Sequence, residues 1–169
     1  MVGCKDMTTP MASNLKLLSD ASSEMIHATM YRQMICSLMY LTNMRPDIFF
    51  VVSTLRHVHL MIAKHALRYL KGTFDYGIKY EVNQKINLEG YVDSDWAGSA
   101  INRKSTSGCC FSMGSGMISW FSRKQSCVAL STAEAEYVTA CSASCEVVWL
   151  RKILYDLFDL DSTCIYCDN

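Results

Sequence analysis

Ala133, Glu136, Ala140, Ala143, Val147, Leu150, Leu154 and Leu157 recur at steps of three and four. That spacing predicts one long helix over Thr132–Leu157 with a single apolar stripe facing a core. Strand-like sequence flanks the helix on both sides, and this limits the topologies open to the chain. Before it, Leu88–Asp93, Gly108–Met113 and Gly116–Phe121 read as strands, the last two joined at Gly114-Ser115-Gly116, a hairpin signal. Tyr76–Tyr80 also reads as a strand, set off by the polar break Asn83-Gln84-Lys85, and Ala97–Ser107 reads as a polar loop. After the helix, Thr163–Asp168 reads as a strand. Hairpin neighbours run antiparallel, and a strand reached through a crossover helix runs parallel to the strand it joins. The predicted fold is α+β: a mixed sheet of three antiparallel strands plus one parallel strand, with a long crossover helix.

The N-terminal half has a different character. Met1–Ser23 is polar and irregular, and about Thr29–Arg68 is mostly helical in pattern. Ile35, Leu38 and Met39 share a helical face, flanked by Leu41. Pro46 suits the first turn of a new helix. Ile48–Leu55 is apolar all round and is expected to be buried. A third helix, about Leu60–Leu70, ends at Lys71-Gly72, a basic last turn followed by a glycine stop. The division expected is a helical segment over 1–87 and an α+β domain over 88–169. His57, His59 and His65 lie in this half, but no carboxylate or cysteine stands at ligand spacing with them, so structural or surface roles are expected.

Composition adds mainly exclusions. Half the 169 residues are hydrophobic and 19% are charged, which is globular composition. The formal net charge is zero, so a nucleic-acid partner has to rest on local basic patches. The longest apolar run, Ile48–Val52, falls far short of the ~20 residues that cross a bilayer, and no basic-then-apolar signal segment opens the chain. Nine cysteines show no framework spacing. Cys164 and Cys167 form a C-x-x-C, but three positions apart on a strand they face opposite ways. Reduced, buried cysteines are the expectation.

The acidic residues carry the chemistry. A carboxylate within an apolar stripe needs a partner or a cation, because desolvating it alone is costly; Glu136 is in that position. Glu134 is accounted for differently. Ser131-Thr132-Ala133-Glu134 is a capping box, in which Glu134 reaches back to the backbone N–H of Ser131. Gly90-Tyr91-Val92-Asp93 and Ile165-Tyr166-Cys167-Asp168 both end in Tyr-x-Asp. If the two strands are parallel neighbours, their terminal carboxylates lie about 5 Å apart. Three carboxylates meeting at the carboxyl end of a sheet call for a hard divalent cation, with Mg²⁺ usual beside phosphates. The alternative for either aspartate alone is a turn former or a helix cap. Asp95 reads as loop, in a supporting role.

The stretches Tyr91-Val92-Asp93-Ser94-Asp95-Trp96-Ala97-Gly98, Arg103-Lys104-Ser105-Thr106-Ser107-Gly108, Ile118-Ser119-Trp120, Ala129-Leu130-Ser131-Thr132-Ala133-Glu134-Ala135-Glu136-Tyr137 and Tyr166-Cys167-Asp168-Asn169 stand in order along the chain. Upstream of them are Tyr31-Arg32-Gln33, Ser37-Leu38-Met39-Tyr40-Leu41, Arg45-Pro46-Asp47 and Leu67-Arg68-Tyr69-Leu70-Lys71-Gly72. Together they resemble the end of the reverse transcriptase and the RNase H domain of copia-type retrotransposon Pol polyproteins. The resemblance implies an RNase H-like fold for 88–169 and a reverse-transcriptase connecting segment for 1–87. It implies that Asp93, Glu136 and Asp168 hold two Mg²⁺ ions, with Mn²⁺ as an alternative, for cleaving the RNA strand of an RNA–DNA hybrid. Arg103, Lys104, Arg123 and Lys124 are then the candidates for phosphate contacts. A solvated basic loop is the alternative for those four.

The family's fourth acidic or histidine contribution lies further along, and its paired-aspartate polymerase motif lies upstream. The chain is therefore expected to be a fragment, weak or inactive alone, with the remainder of the polyprotein as its partner. The linker between Leu55 and His57 is shorter than the family pattern. Self-association through an exposed final strand and an intracellular setting, a cytoplasmic particle or the nucleus, are also expected. The competing readings are a non-catalytic nucleic-acid-binding or structural remnant, and an inert pseudogene product.

Overall fold

The computed structural model describes residues 3–11, 28–55, 60–99, 102–158 and 160–167. The chain divides into two compact units, Met1–Gly77 and Ile78–Asn169.

In the first unit, helix α1 (Ala28–Leu41) is followed by a 3₁₀ turn (Pro46–Ile48), helix α2 (Phe49–Thr54) and helix α3 (Leu60–Gly72). Pro46 opens its turn as expected, since its missing N–H is one that a first turn leaves unpaired anyway. Leu38, Ile48, Val52 and Tyr69 form the core, with Met34, Leu41 and Leu70 packed against it. The inward face of α1 therefore runs Tyr31, Met34, Leu38 and Leu41. Met39, expected on that face, is exposed, because it sits one residue beyond the stripe. Residues 3–11 run along α3: the Lys71 ammonium donates to Cys4 O (2.9 Å) and a ring nitrogen of His65 pairs with Thr9 O (2.9 Å). His57 and His59, and the short linker around them, lie outside the described residues.

A charged clamp locks the turn of the first unit. Arg45, only 5% exposed, grips the Asp47 carboxylate with Nε (2.9 Å) and Nη2 (2.7 Å). Its Nη1 donates to Thr73 O (2.8 Å), and Tyr69 Oη donates to Asp47 (2.7 Å). The planar guanidinium makes this two-pronged grip possible. Burial pulls the Asp47 carboxyl up, but the hydrogen bonds from Arg45 and Tyr69 outweigh it and hold the group below its usual range.

The second unit contains strands β1 (Leu88–Asp95), β2 (Thr106–Met113) and β3 (Gly116–Lys124), helix α4 (Thr132–Leu154) and strand β4 (Cys164–Tyr166). The sheet order is β3-β2-β1-β4, with β1–β2 and β2–β3 antiparallel and β1–β4 parallel. This is the predicted architecture. The hairpin loop is Gly114-Ser115, and Gly114 takes φ +62°, a conformation glycine adopts without steric cost.

Tyr76–Tyr80 is not a strand. Its residues pack by side chain instead of joining the backbone ladder. The Tyr80 ring lies where a Cβ on Gly116 would be, 2.5 Å away, and Tyr80 Oη donates to Met117 O (2.7 Å). Strand β1 extends beyond the predicted Asp93 to Asp95, and β3 beyond Phe121 to Lys124. Asp95, read as loop, is thus a strand residue paired with Thr106.

Helix α4 covers the sheet face that carries Gly90, Val92, Ser107, Cys109 and Phe111. The Ser107 hydroxyl meets Thr139 of α4 (2.6 Å), and Ser119 Oγ donates to Glu146 of α4 (3.2 Å). The buried face of α4 is Ala135, Thr139, Ala143, Val147 and Leu150. The predicted stripe is right from Ala143 to Leu150 but out of phase at both ends. Ala133 is exposed, Glu136 and Ala140 are half-buried, and Leu157 lies past the helix end at 70% exposure. Small residues on every side of the first turns give the sequence little contrast there. Glu136 is also not the single carboxylate near the sheet, because Glu146 reaches it.

Seven of the nine cysteines are exposed; only Cys109 is buried, and Cys110 is half-buried. All nine are free thiols. The expectation of buried cysteines therefore holds for Cys109 alone. Burial pushes its thiol up to about 12. Among the described residues no helix is long and apolar enough to cross a membrane.

Candidate active site at the carboxyl end of the sheet

Strand alternation decides where each candidate side chain goes. On β1 the even positions Leu88, Gly90, Val92 and Ser94 face α4, and Tyr91, Asp93 and Asp95 face the other way and are exposed. Asp93 pairs with Gly108, itself opposite Ser122, so its neighbours on the β2 side of the sheet are small. A Cβ on Gly98 would stand 1.8 Å from Asp95 Oδ2. The Asp95 carboxylate folds over Gly98, and any larger residue there would push it out.

The parallel pairing expected from the crossover helix is present between β1 and β4. Tyr91 pairs with Tyr166, and their rings stack with centroids 5.2 Å apart. Tyr91 Oη donates to the Glu89 carboxylate (2.9 Å), which raises the Tyr91 phenol above its ordinary value. Asp168 itself lies outside the described residues.

The N-terminus of α4 sits at the same end of the sheet. Ser131 caps it, accepting from the Glu134 N–H (3.2 Å). Glu134 reaches back as a capping glutamate should, but to the N–H of Leu130 (2.6 Å), one residue before the expected Ser131. Gln125 Nε2 ties the first turn to the sheet by donating to Ala135 O (2.8 Å) and Ser107 Oγ (3.0 Å). Ser107 is the cross-strand partner of Ser94, the residue after Asp93. Asp93, Asp95 and the helix turn that bears Glu136 therefore share one end of the unit. Among the described residues, no three of the His, Cys, Asp and Glu side chains form a group that would hold a metal ion.

The four basic candidates also gather at this end, where β2 begins and β3 finishes. Lys104 Nζ donates to Ser126 O, and Lys124 Nζ donates to Ser99 Oγ (3.0 Å). Lys104 thereby latches the loop after β1 to the segment entering α4, as does Trp96 Nε1 donating to Ala129 O (3.1 Å), and Lys124 ties the same loop to the end of β3. The Arg123 guanidinium lies over the Phe121 ring, 4.6 Å from its centroid. Arg103 is exposed and adopts φ +54° in the turn closed by its N–H to Ser99 O (2.8 Å). The sequence reading missed Gln125 and Glu146 as partners across the sheet. At the far end of α4, Val148, Arg151, Tyr155, Phe158 and Leu160 line a groove of about 800 Å³.

A mixed four-stranded sheet under a long crossover helix, with acidic and basic side chains at one end, is an RNase H-like architecture. Over its whole length the chain is 37% identical to the retrovirus-related Pol polyprotein from transposon RE1 of Arabidopsis thaliana, and it covers 12% of that protein. It is 36% identical, again over its whole length, to the corresponding polyprotein from transposon TNT 1-94 of Nicotiana tabacum, covering 14% of it. A protein of Plasmopara viticola named secreted RxLR effector protein 161 is 39% identical over 128 residues, 71% of this chain and 90% of that one. The chain belongs to the retrovirus-related Pol polyproteins of copia-type transposons. It spans about an eighth of the length of the polyproteins RE1 and TNT 1-94. No protein-family model and no solved structure matches it.

Proposed function

We propose that residues 88–169 are an RNase H-type module that hydrolyses the RNA strand of RNA–DNA hybrids, and that 1–87 is the connecting segment of a reverse transcriptase. The observation that carries the reading is the β1–β4 register. The sequence interval between paired residues, Tyr91 with Tyr166, equals the interval between Asp93 and Asp168. Asp93, Glu136 and Asp168 are the carboxylates assigned to the site, with Asp95 beside them.

The donor set is all carboxylate oxygen, which suits a hard cation such as Mg²⁺ or Mn²⁺. Asp93, Glu136 and Asp168 would hold it. Such ions, when bound, polarise a scissile phosphate and lower the pKa of a bound water. The chain's own part is to carry the carboxylates on a strand and on a capped helix turn, whose backbones are held in place. Arg103, Lys104, Arg123 and Lys124 would hold the hybrid's backbone phosphates, with Lys104 and Lys124 exchanging present contacts for phosphate oxygens. The 2′-hydroxyl marks the strand to be cut. The same reading has the chain act inside the cell, in a cytoplasmic particle or the nucleus, within a larger polyprotein.

The test is cleavage of a labelled hybrid with and without Mg²⁺, with Asp93→Asn as control. Weak Mg²⁺-dependent cutting of the RNA strand, lost in Asp93→Asn, is the expected result for this fragment. Folded protein that leaves the hybrid intact refutes the nuclease reading. A non-catalytic nucleic-acid-binding remnant is the second reading. It predicts salt-sensitive hybrid binding that neither Mg²⁺ nor Asp93→Asn alters.

A further inference from the structure

Beneath the first turns of α4 lies a buried polar cluster. Gln125 is 5% exposed, Ser107 4% and Thr139 1%. Polar side chains at such depth are costly unless hydrogen-bonded, and these three bond to one another. The Ser107 and Thr139 hydroxyls meet at 2.6 Å, and Thr139 Oγ1 donates to Ala135 O (3.0 Å). The Gln125 backbone N–H donates to Ser105 O (2.9 Å), which holds the residue at the end of β3.

The orientation of the Gln125 amide is fixed by its partners. Ala135 O can only accept, so the group 2.8 Å from it is Nε2. That nitrogen uses one N–H on Ala135 O and the other on Ser107 Oγ (3.0 Å). Ala135 O belongs to the peptide group that joins Ala135 to Glu136. Ser107 stands opposite Ser94, next to Asp93. One amide thus connects the peptide group at which Glu136 begins to the strand pair that carries Asp93.

We propose that Gln125 is a positioning residue, setting the α4 turn that bears Glu136 against the β1–β2 end that bears Asp93. The proposal rests on the nuclease reading for its purpose. Its geometric content stands apart from that reading. Glutamine is suited to the position because it offers two donors on one atom at the required reach. Methionine has similar length and no donor, glutamate has no donor when ionised, and asparagine is one carbon shorter.

The experiment compares the full chain with its Gln125→Met variant in two measurements. Amide hydrogen exchange is followed over residues 132–140 and 143–154. Exchange over 132–140 is expected to quicken about fivefold, as for the loss of one buried hydrogen bond. Exchange over 143–154 is expected to stay the same. The Mg²⁺ concentration that half-saturates hybrid cleavage is expected to rise on the order of tenfold, with hybrid affinity unchanged. Unchanged exchange over 132–140, or uniform acceleration along α4, overturns the inference. So does faster exchange with an unchanged Mg²⁺ requirement. A parent chain that does not cut hybrids refutes the nuclease reading, and the exchange arm then decides alone whether Gln125 fixes this turn. Should Gln125→Met fail to fold, Thr139→Val removes the hydroxyl from the same cluster at nearly constant volume and is read in the same way.

Discussion

Gly90→Ala tests how tightly β1 is held between the core and β4. Gly90 pairs with Phe111 across β1–β2 and with Ile165 across β1–β4. A Cβ at 90 would stand 3.0 and 3.1 Å from two ring carbons of Phe111, and 3.5 Å from Ile165 Cγ1. Phe111 is fully buried, so its ring has to move against packed neighbours by a few tenths of an ångström. Adding a methyl to a close-packed core in this way costs about 1–3 kcal/mol. In a unit of roughly 90 residues, each kcal/mol lowers Tm by about 4–8 °C. Trp96, Trp120 and Trp149 all lie in this unit, so tryptophan fluorescence during thermal unfolding reports on it. The decisive variant is Gly90→Ala combined with Phe111→Leu. If the ring contact is the cause, Gly90→Ala costs at least about 1 kcal/mol less in the Phe111→Leu background, as for residues in contact. Strictly additive costs would refute the reasoning and point to the strand backbone.

Three further outcomes are expected. Arg45→Met should destabilise the first unit by about 3 kcal/mol, the low end for breaking a buried ion pair, because the Asp47 side chain is 34% exposed. Arg45→Lys should cost less, since it keeps the charge, and hydrogen exchange of the α3 amides ranks the two. Cys109 should resist alkylation in the folded chain near pH 8, whereas exposed Cys141 and Cys145 react, as read by mass spectrometry. With its folded thiol near 12 and an ordinary value of 9.0, Cys109 contributes stability that is complete below pH 9. That contribution is lost as pH rises through 12, and Cys109→Ala should flatten this alkaline decline. Glu89→Gln should lower the ionisation range of Tyr91 toward that of an ordinary phenol in an ultraviolet titration, because its first cause is the Glu89 hydrogen bond.

The parts legible in the sequence are those that rest on strong local contrast. The crossover helix predicts a parallel last strand, and Tyr91 does lie beside Tyr166. The capping signal at Ser131 placed the start of α4 correctly. Where contrast is weak, pattern and structure part. Alanine, threonine and cysteine surround the first turns of α4, so Ala135 and Thr139 are inward although Ala133 and Glu136 fitted the stripe. Tyr76–Tyr80 has the alternation of a strand, but it forms no ladder, and Tyr80 lies on the hairpin by its side chain. Gln125, Ser107 and Thr139 are invisible as core residues because isolated polar side chains are read as exposed, and only tertiary contacts show that they bond to one another.

Among the described residues, strand β4 pairs with β1 at three positions, whereas β1–β2 and β2–β3 are joined by longer ladders between neighbours in sequence. This inequality sets an order of assembly. The three-stranded meander closes through short loops and has little chain entropy to overcome, so it forms early. The parallel strand must wait until α4 has docked and Arg151, donating to Thr163 Oγ1 (3.0 Å), has anchored the approach to β4. It is then expected to join last and detach first, which pulse-labelled hydrogen exchange would show as late protection over residues 164–166.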